Sequence, residues 1–136
     1  MYNDIPDIVL KVKFYDAKAS LEQKKFEEEF SKFRLGNGLL PDEHKNSMKY
    51  FILNRNMNQA IKGAQNVNRI ALKDKAYIDY RKKWRHKTMM QPSIQAVKRV
   101  VKHMFDNKIE LNFNDFSNLY VSHLKEIFIE RHGESI

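Results

Sequence analysis

Cysteine is absent from the 136 residues of this chain. The absence excludes disulfides, thiolate ligands for zinc and a cysteine nucleophile, and it fits a reducing compartment. Glycine and proline are also scarce, with four and three residues, and no segment is of low complexity. The sequence therefore predicts no interdomain linker, and we interpret residues 1–136 as a single domain.

The chain also lacks a long apolar run. No segment approaches the roughly 18 consecutive apolar residues that a membrane-spanning helix requires. The N-terminus carries Asp4 and Asp7, whereas a secretory signal peptide begins with positive charge. We therefore expect a cytoplasmic protein that does not contact a membrane.

Acidic residues are scarce in the middle of the chain. Residues 62–108 contain 13 Lys or Arg against three Asp and no Glu. Residues 1–61 are nearly balanced in charge, and residues 109–136 contain two basic and five acidic residues. The formal net charge of +8 therefore comes from the central window. Such a concentration of positive charge predicts a polyanionic partner, above all nucleic acid.

Helical periodicity dominates this basic window. A wheel of 100° per residue places Tyr77, Tyr80 and Trp84 on one side of a helix over residues 74–87. A second helix, over residues 93–106, is predicted to begin with Ser93 as its N-cap. Opposite its basic residues, this second helix has an apolar face of Ile94, Val97, Val100, Val101, Met104 and Phe105.

Other helices are predicted from their ends. A Ser-x-x-Gln capping box marks a start at Ser20, and a proline followed by two acids marks another at Pro41. Asn56 is predicted to start a new helix after an interruption of the preceding one. Residues 67–72 fit either a short strand or a continuation of the helix that starts at Asn56. The last helix is predicted to run from Asn114 to a stop at Gly133. We expect a mainly α fold of five or six helices.

Two short segments show the alternation of a β-strand. Residues 8–14 alternate apolar side chains on one side, and residues 109–113 do the same. We expect them to pair as a minor two-stranded antiparallel element near the termini, with helices packed on it. A helix beginning at Pro6 is the alternative for the first segment.

The candidate nucleic-acid contacts lie on the two central helices and the turn between them. These residues are Lys75, Arg81, Lys82, Lys83, Arg85, Lys87, Lys98, Arg99 and Lys102. We expect them to contact phosphates, together with the backbone amides at a helix start near Ser93. The aromatic stripe of Tyr77, Tyr80 and Trp84 is assigned to the core instead of to base stacking, because the opposite side of that helix is already basic.

No catalytic, cofactor or metal-binding motif is present in the sequence. The five histidines lack the spacing of a metal site, and the adjacent carboxylates of residues 27–29 point in different directions on a helix. We therefore expect no enzyme, cofactor or small-molecule substrate, and we predict a DNA-binding regulator. Duplex DNA is favoured over RNA because the basic residues lie on regular amphipathic helices without a recognisable RNA-binding motif.

Oligomeric state and two alternative functions follow from the same charge pattern. A homodimer is expected, since one small module seldom buries enough DNA surface by itself. One alternative function is a protein-interaction, assembly or inhibitor module that docks its basic face on an acidic partner. The other is a small metal-dependent nuclease whose carboxylates are brought together by folding.

Overall fold

The computed structural model describes residues 5–84 and 90–133, without the side chains of Trp84, Met90 and His132. These residues form a 3₁₀ turn at Ser31–Phe33 and six α-helices: α1 (Asp7–Phe30), α2 (Asp42–Lys45), α3 (Met48–Ala71), α4 (Lys75–Trp84), α5 (Met90–Asn107) and α6 (Phe113–His132). The predicted mainly α fold is confirmed. The predicted β element is wrong, because the two described ranges contain no strand. None of the helices in these ranges is both long and apolar enough to cross a lipid bilayer.

Residues 8–14, predicted as a strand, lie in the first turns of α1. Val9 and Val12 are three residues apart and both buried, as the helical period requires. Half-buried apolar residues such as Phe14 lie beside them and pack on the main core. A helix with neighbours on two sides needs apolar residues on both flanks, and this requirement produces the alternation that resembles a strand.

Residues 109–113, the other predicted strand, form the connection from α5 and the first residue of α6. Lys108 adopts a positive φ of 54°, and the Ile109 N–H donates to the Met104 carbonyl at 3.0 Å. Asn112 caps α6, since its Oδ1 accepts from the Asp115 N–H at 2.8 Å. The predicted cap, Asn114, is instead inside the helix. With residues 8–14 helical, this segment has no partner strand.

Helices α1 and α3 are each continuous over 24 residues. Ser20, predicted to start a helix, is exposed in the middle of α1, and Asn56 lies within α3. The N-cap of α3 is Ser47, whose side chain accepts from the Tyr50 N–H at 3.1 Å. Packing of the two helices along their length stabilises them across the predicted breaks, because tertiary contacts outweigh local capping signals.

Other predicted helix ends are confirmed. Pro41 precedes the first residue of α2, and Asn107 is the last residue of α5. Gly133 ends α6 in the left-handed conformation, with a φ of 74° and its N–H donating to the Ile129 carbonyl at 2.7 Å. The ends at Pro41 and Gly133 were predictable because each depends on one residue with a strong conformational preference. At the end of α5 the left-handed residue is Lys108 and not the asparagine before it.

Helix α1 lies at the centre of the fold and contacts α3, α4, α5 and α6. Helix α3 runs antiparallel to it, as Lys49 bonds Glu29 at 3.0 Å at one end and Asn68 bonds Asp16 at 3.2 Å at the other. Helices α5 and α6 pack on each other and on α1. Helix α3 packs mainly on α1, so a large part of its circumference faces solvent.

The main core joins α1, α5 and α6. Its buried residues are Ile5, Val9, Ala17, Leu21, Ala96, Val100, Val101, Met104, Phe116, Tyr120, Leu124, Ile127 and Phe128. A smaller cluster of Phe26, Phe30 and Leu40 holds the far end of α1 against α3. The predicted apolar face of α5 is thus confirmed except at Ile94, whose side chain is 48% exposed.

Candidate nucleic-acid interface

Two tyrosines fix which side of α4 faces solvent. Tyr77 and Tyr80 are half-buried and pack against the main core, which confirms their predicted inward position. Burial raises the pKa of Tyr80 to about 12, because the charged phenolate is disfavoured away from water. Asp74 starts the helix, since its Oδ1 accepts from the Ala76 N–H at 2.9 Å. The side chain of Trp84 lies outside the described residues.

The opposite side of α4 carries exposed lysines. Lys75, Lys82 and Lys83 are exposed and, at 100° per residue, lie together with Asp79 within an arc of about 100°. We call this set of four residues the α4 outer face. Three cations and one carboxylate give the face a net positive charge. Because the tyrosine side of α4 packs on the core, the backbone positions of these residues are fixed relative to one another.

Arg81 lies on the flank of α4 that approaches α1. Its guanidinium sits over the Tyr77 ring, 5.7 Å from the centroid. The half-buried Lys13 of α1 has a lowered pKa, chiefly because of burial, with Asp16 opposing the shift and the positive charge of Arg81 adding to it. The positive charge of Arg81 therefore acts on Lys13 where α4 meets α1.

Two of the three basic residues predicted on α5 have acidic partners. Arg99 donates to both carboxylate oxygens of Glu130, at 2.8 and 3.3 Å, and lies 3.6 Å from Glu126. The Arg99 hydrogen bond holds the pKa of Glu130 below its usual range. Lys102 is paired with Asp106 one turn along the helix. These exposed pairs contribute little to stability but reduce the positive potential of α5.

Lys98 is the remaining predicted contact on α5. Its side chain is exposed, and within the described ranges it has no carboxylate partner. Arg85, predicted on the helix over residues 74–87, and Lys87, predicted in the turn after it, lie outside the described residues, as does His86. The described part of the chain therefore has four of the predicted contacts on α4 and three on α5, of which Arg99 and Lys102 are paired with acids.

Ser93 does not begin a helix as predicted. Helix α5 starts at Met90, and the side chain of Ser93 is buried, with its Oγ 2.7 Å from the hydroxyl of Tyr120. Burial is the main cause that raises the pKa of Tyr120, and nearby Tyr80 raises it further. Ser93 thus provides the hydrogen-bond partner of the buried Tyr120 hydroxyl at the junction of α4, α5 and α6. It is not available to contact a phosphate.

Several basic residues lie outside the predicted set, and three of them share one side of α3 and the turn after it. Lys62, Arg69 and Lys73 are exposed, and their spacing of seven and four residues places them on one side of α3 and the turn that follows it. Their regular spacing in the sequence is the signal from which these residues could have been predicted. Asn68, next to Arg69, bonds Asp16, so this end of α3 lies beside the part of α1 that approaches α4.

Metal-binding geometry is not found in the described residues, where no group of three or more His, Asp or Glu is placed to hold an ion. Comparison with known proteins gives no match either: no family model, no curated protein and no solved structure matches the chain. The function proposed below therefore rests on the geometry and charge of the molecule itself.

Proposed function

We propose that this protein binds nucleic acid without catalysing a reaction on it, and that it acts as a regulator on duplex DNA. One observation carries the proposal: α4 presents Lys75, Lys82 and Lys83 to solvent while its tyrosines anchor the other side in the core. Cations fixed in this way meet phosphates with a set spacing and lose little backbone freedom on binding.

Neighbouring elements support the same partner. Arg81 and Lys13 repel each other where α4 meets α1, and a bound phosphate would reduce that repulsion. Lys98 adds an exposed cation on α5 that has no carboxylate partner among the described residues. A stacking site for unpaired bases needs exposed aromatic rings, but Tyr77 and Tyr80 face the core. This orientation favours a duplex over a single strand.

Binding to three labelled nucleic acids tests the proposal by fluorescence anisotropy. We expect the protein to bind a random-sequence 20-base-pair DNA duplex with a Kd in the micromolar range near physiological salt, and more tightly as salt falls. The matching single strand and the RNA duplex should bind more weakly. Unlabelled polyglutamate serves as the competitor that represents an acidic protein surface.

Two results would contradict this function. Absence of duplex binding even at low salt would remove nucleic acid as the partner. Displacement of the duplex by polyglutamate at the same charge concentration would instead support docking on an acidic protein, since that surface would then recognise negative charge without regard to phosphate geometry.

We also infer that a second copy of the chain covers the end of the molecule formed by the turn after α1 and the start of α3. Large apolar side chains are exposed there: Leu35 (54%), Leu39 (57%), Met48 (71%), Phe51 (59%) and Ile52 (40%). Exposed apolar side chains gathered at one end mark interaction sites in soluble proteins. A dimer would also supply the DNA contact area that one small module lacks.

Sedimentation equilibrium tests the dimer. The parent is expected to sediment as a dimer at tens of micromolar, and the variant with Met48→Ser and Phe51→Ser as a monomer. The matched control carries Ile70→Ser and Leu72→Ser, two residues that are similarly exposed (64% and 55%) at the other end of α3. The control should remain dimeric. A monomeric parent, or loss of the dimer in the control alone, would refute this interface.

A further inference from the structure

The exposed side of α3 differs in composition from every other helix that the structure describes. No Asp or Glu occurs over the 30 residues from His44 to Lys73. Helix α3 itself has four basic residues, five Asn and two Gln among its 24 residues. The other five helices each contain at least one acid. A long helix that combines cations with amides matches the chemistry that proteins use to read base edges.

Six of these side chains share one side of the helix. The α3 outer face consists of Arg55, Asn58, Lys62, Gln65, Asn66 and Arg69, all of them exposed. At 100° per residue they lie within an arc of about 100°, opposite the buried Ala64 and Ala71. Cations recur every seven residues along the face, and the amides lie between them.

The side chains of the α3 outer face have no polar partner in residues 5–84 and 90–133. None of the six makes a side-chain hydrogen bond or ion pair with the described part of the chain, although Arg55 lies over the Phe51 ring at 5.8 Å. Arg99 on α5, by contrast, is paired with Glu130. The α3 outer face therefore offers its full charge and all its amide groups to a ligand.

Two asparagines of this face make no side-chain hydrogen bond to the residues that the structure describes. Asn is unfavourable inside a helix relative to Ala, because its side chain competes for backbone hydrogen bonds. The nearby Asn68 offsets that cost by bonding Asp16 and the Ala64 carbonyl. Asn58 and Asn66 are exposed and make no such bond. A ligand that offers both a hydrogen-bond donor and an acceptor would pair with these exposed amides.

We propose that the α3 outer face reads base edges in the major groove of duplex DNA. This inference rests on the proposed DNA-binding function and adds the element that gives it sequence specificity. Asn and Gln amides pair with the N6 and N7 atoms of adenine, while the flanking Arg and Lys reach guanine or phosphates. A helix about 10–12 Å across fits a groove about 12 Å wide.

The dimensions and surroundings of α3 agree with this placement. From Arg55 to Arg69 the face is about 21 Å long, which matches about six base pairs. Helix α3 packs mainly on α1, so its outer side is clear of the other helices that the structure describes. Lys73, exposed in the turn after α3, continues the row of cations on this side of the helix, and α4 follows it in the chain. In this arrangement the phosphate contacts of α4 supply most of the affinity for DNA, and α3 discriminates between base sequences.

The test uses a variant that removes the amides without changing charge. The parent is first used to select sequences from a duplex DNA library randomised over 20 base pairs, and its affinities for selected and random duplexes are compared. The variant with Asn58→Ala, Gln65→Ala and Asn66→Ala is expected to lose about 5- to 150-fold of that preference per bidentate contact removed. Its affinity for random duplex and its salt slope should stay within about twofold of the parent.

A matched control removes three exposed amides elsewhere, with Gln95→Ala, Asn114→Ala and Asn118→Ala on α5 and α6, and should keep the full preference. Circular dichroism should show no loss of helix in either variant, because exposed Asn→Ala changes favour a helix. A parent that binds random duplex but selects no sequence, or an amide variant that keeps the preference, would overturn the reading role of α3 and leave the proposed function standing. A parent that binds no duplex would overturn both.

Discussion

Replacing Lys75, Lys82 and Lys83 together by Ala is expected to weaken binding to random duplex DNA on the order of 100-fold at about 0.1 M salt. Each phosphate contact releases about 0.9 counterion, so the slope of log K against log salt should decrease in magnitude by about three. The fold should be retained, because all three side chains are exposed and lie away from the tyrosines that anchor α4.

A charge-matched control separates the α4 outer face from overall charge. The variant with Lys32→Ala, Lys45→Ala and Lys125→Ala also removes three exposed lysines, from segments outside α4. Its affinity should change by less than about threefold, since distant surface charges are screened within a Debye length of about 10 Å. Equal losses in the two variants would show that net charge, and not this face, determines binding.

Phe116→Ala is expected to lower the free energy of unfolding by about 3–5 kcal/mol, as large-to-small changes of buried aromatics do. The Phe116 side chain is fully buried, and its ring contacts Phe14 of α1 at 5.4 Å and Tyr120 at 5.8 Å between centroids. The change therefore leaves a cavity where α6 meets α1. Urea denaturation measures the effect, and Tm should fall on the order of 10 °C.

Ile70→Ala is the control for this core prediction. Ile70 is also a large apolar residue on a helix but is 64% exposed and lies outside the proposed dimer interface, so its removal should change the free energy of unfolding by no more than about 0.5 kcal/mol. A cost below about 1 kcal/mol for Phe116→Ala, or equal costs for both variants, would mean that the junction of α1 and α6 is not packed as described.

The helices that the sequence predicts well are those that bury one side. Helix α5 has a single apolar side, and Val100, Val101 and Met104 are buried as its wheel predicts. Helix α1 is packed on two sides, so its apolar residues follow no single stripe and residues 8–14 resemble a strand. The difference lies in how many neighbours a helix has, which is a tertiary property.

At the candidate interface, too, the positions that depend on local periodicity could be predicted, and the pairs between residues distant in sequence could not. The positions of Lys75 and Lys82 on the outer side of α4 follow from the local periodicity that places Tyr77 inward. The pairing of Arg99 with Glu130 joins residues 31 positions apart, and local periodicity contains no information about it. The charge count of residues 62–108 therefore overstated the contribution of α5.

The same charge count also understated α3. Its window began at Lys62, in the middle of a helix that starts at Met48, and so it divided the α3 outer face. Only the continuity of α3 through the predicted break before Asn56 aligns Arg55 with Lys62 and Arg69. Helix length, which depends on packing against α1, was thus the missing information.

The salt dependence of duplex binding by the parent protein tests the central claim most directly. Anisotropy titrations of a random-sequence 20-base-pair duplex between about 50 and 200 mM salt give the slope of log K against log salt. Contacts by Lys75, Arg81, Lys82 and Lys83 predict a slope of about −3.6 or steeper. No binding at 50 mM salt, or a slope near zero, would contradict a phosphate-binding surface on α4.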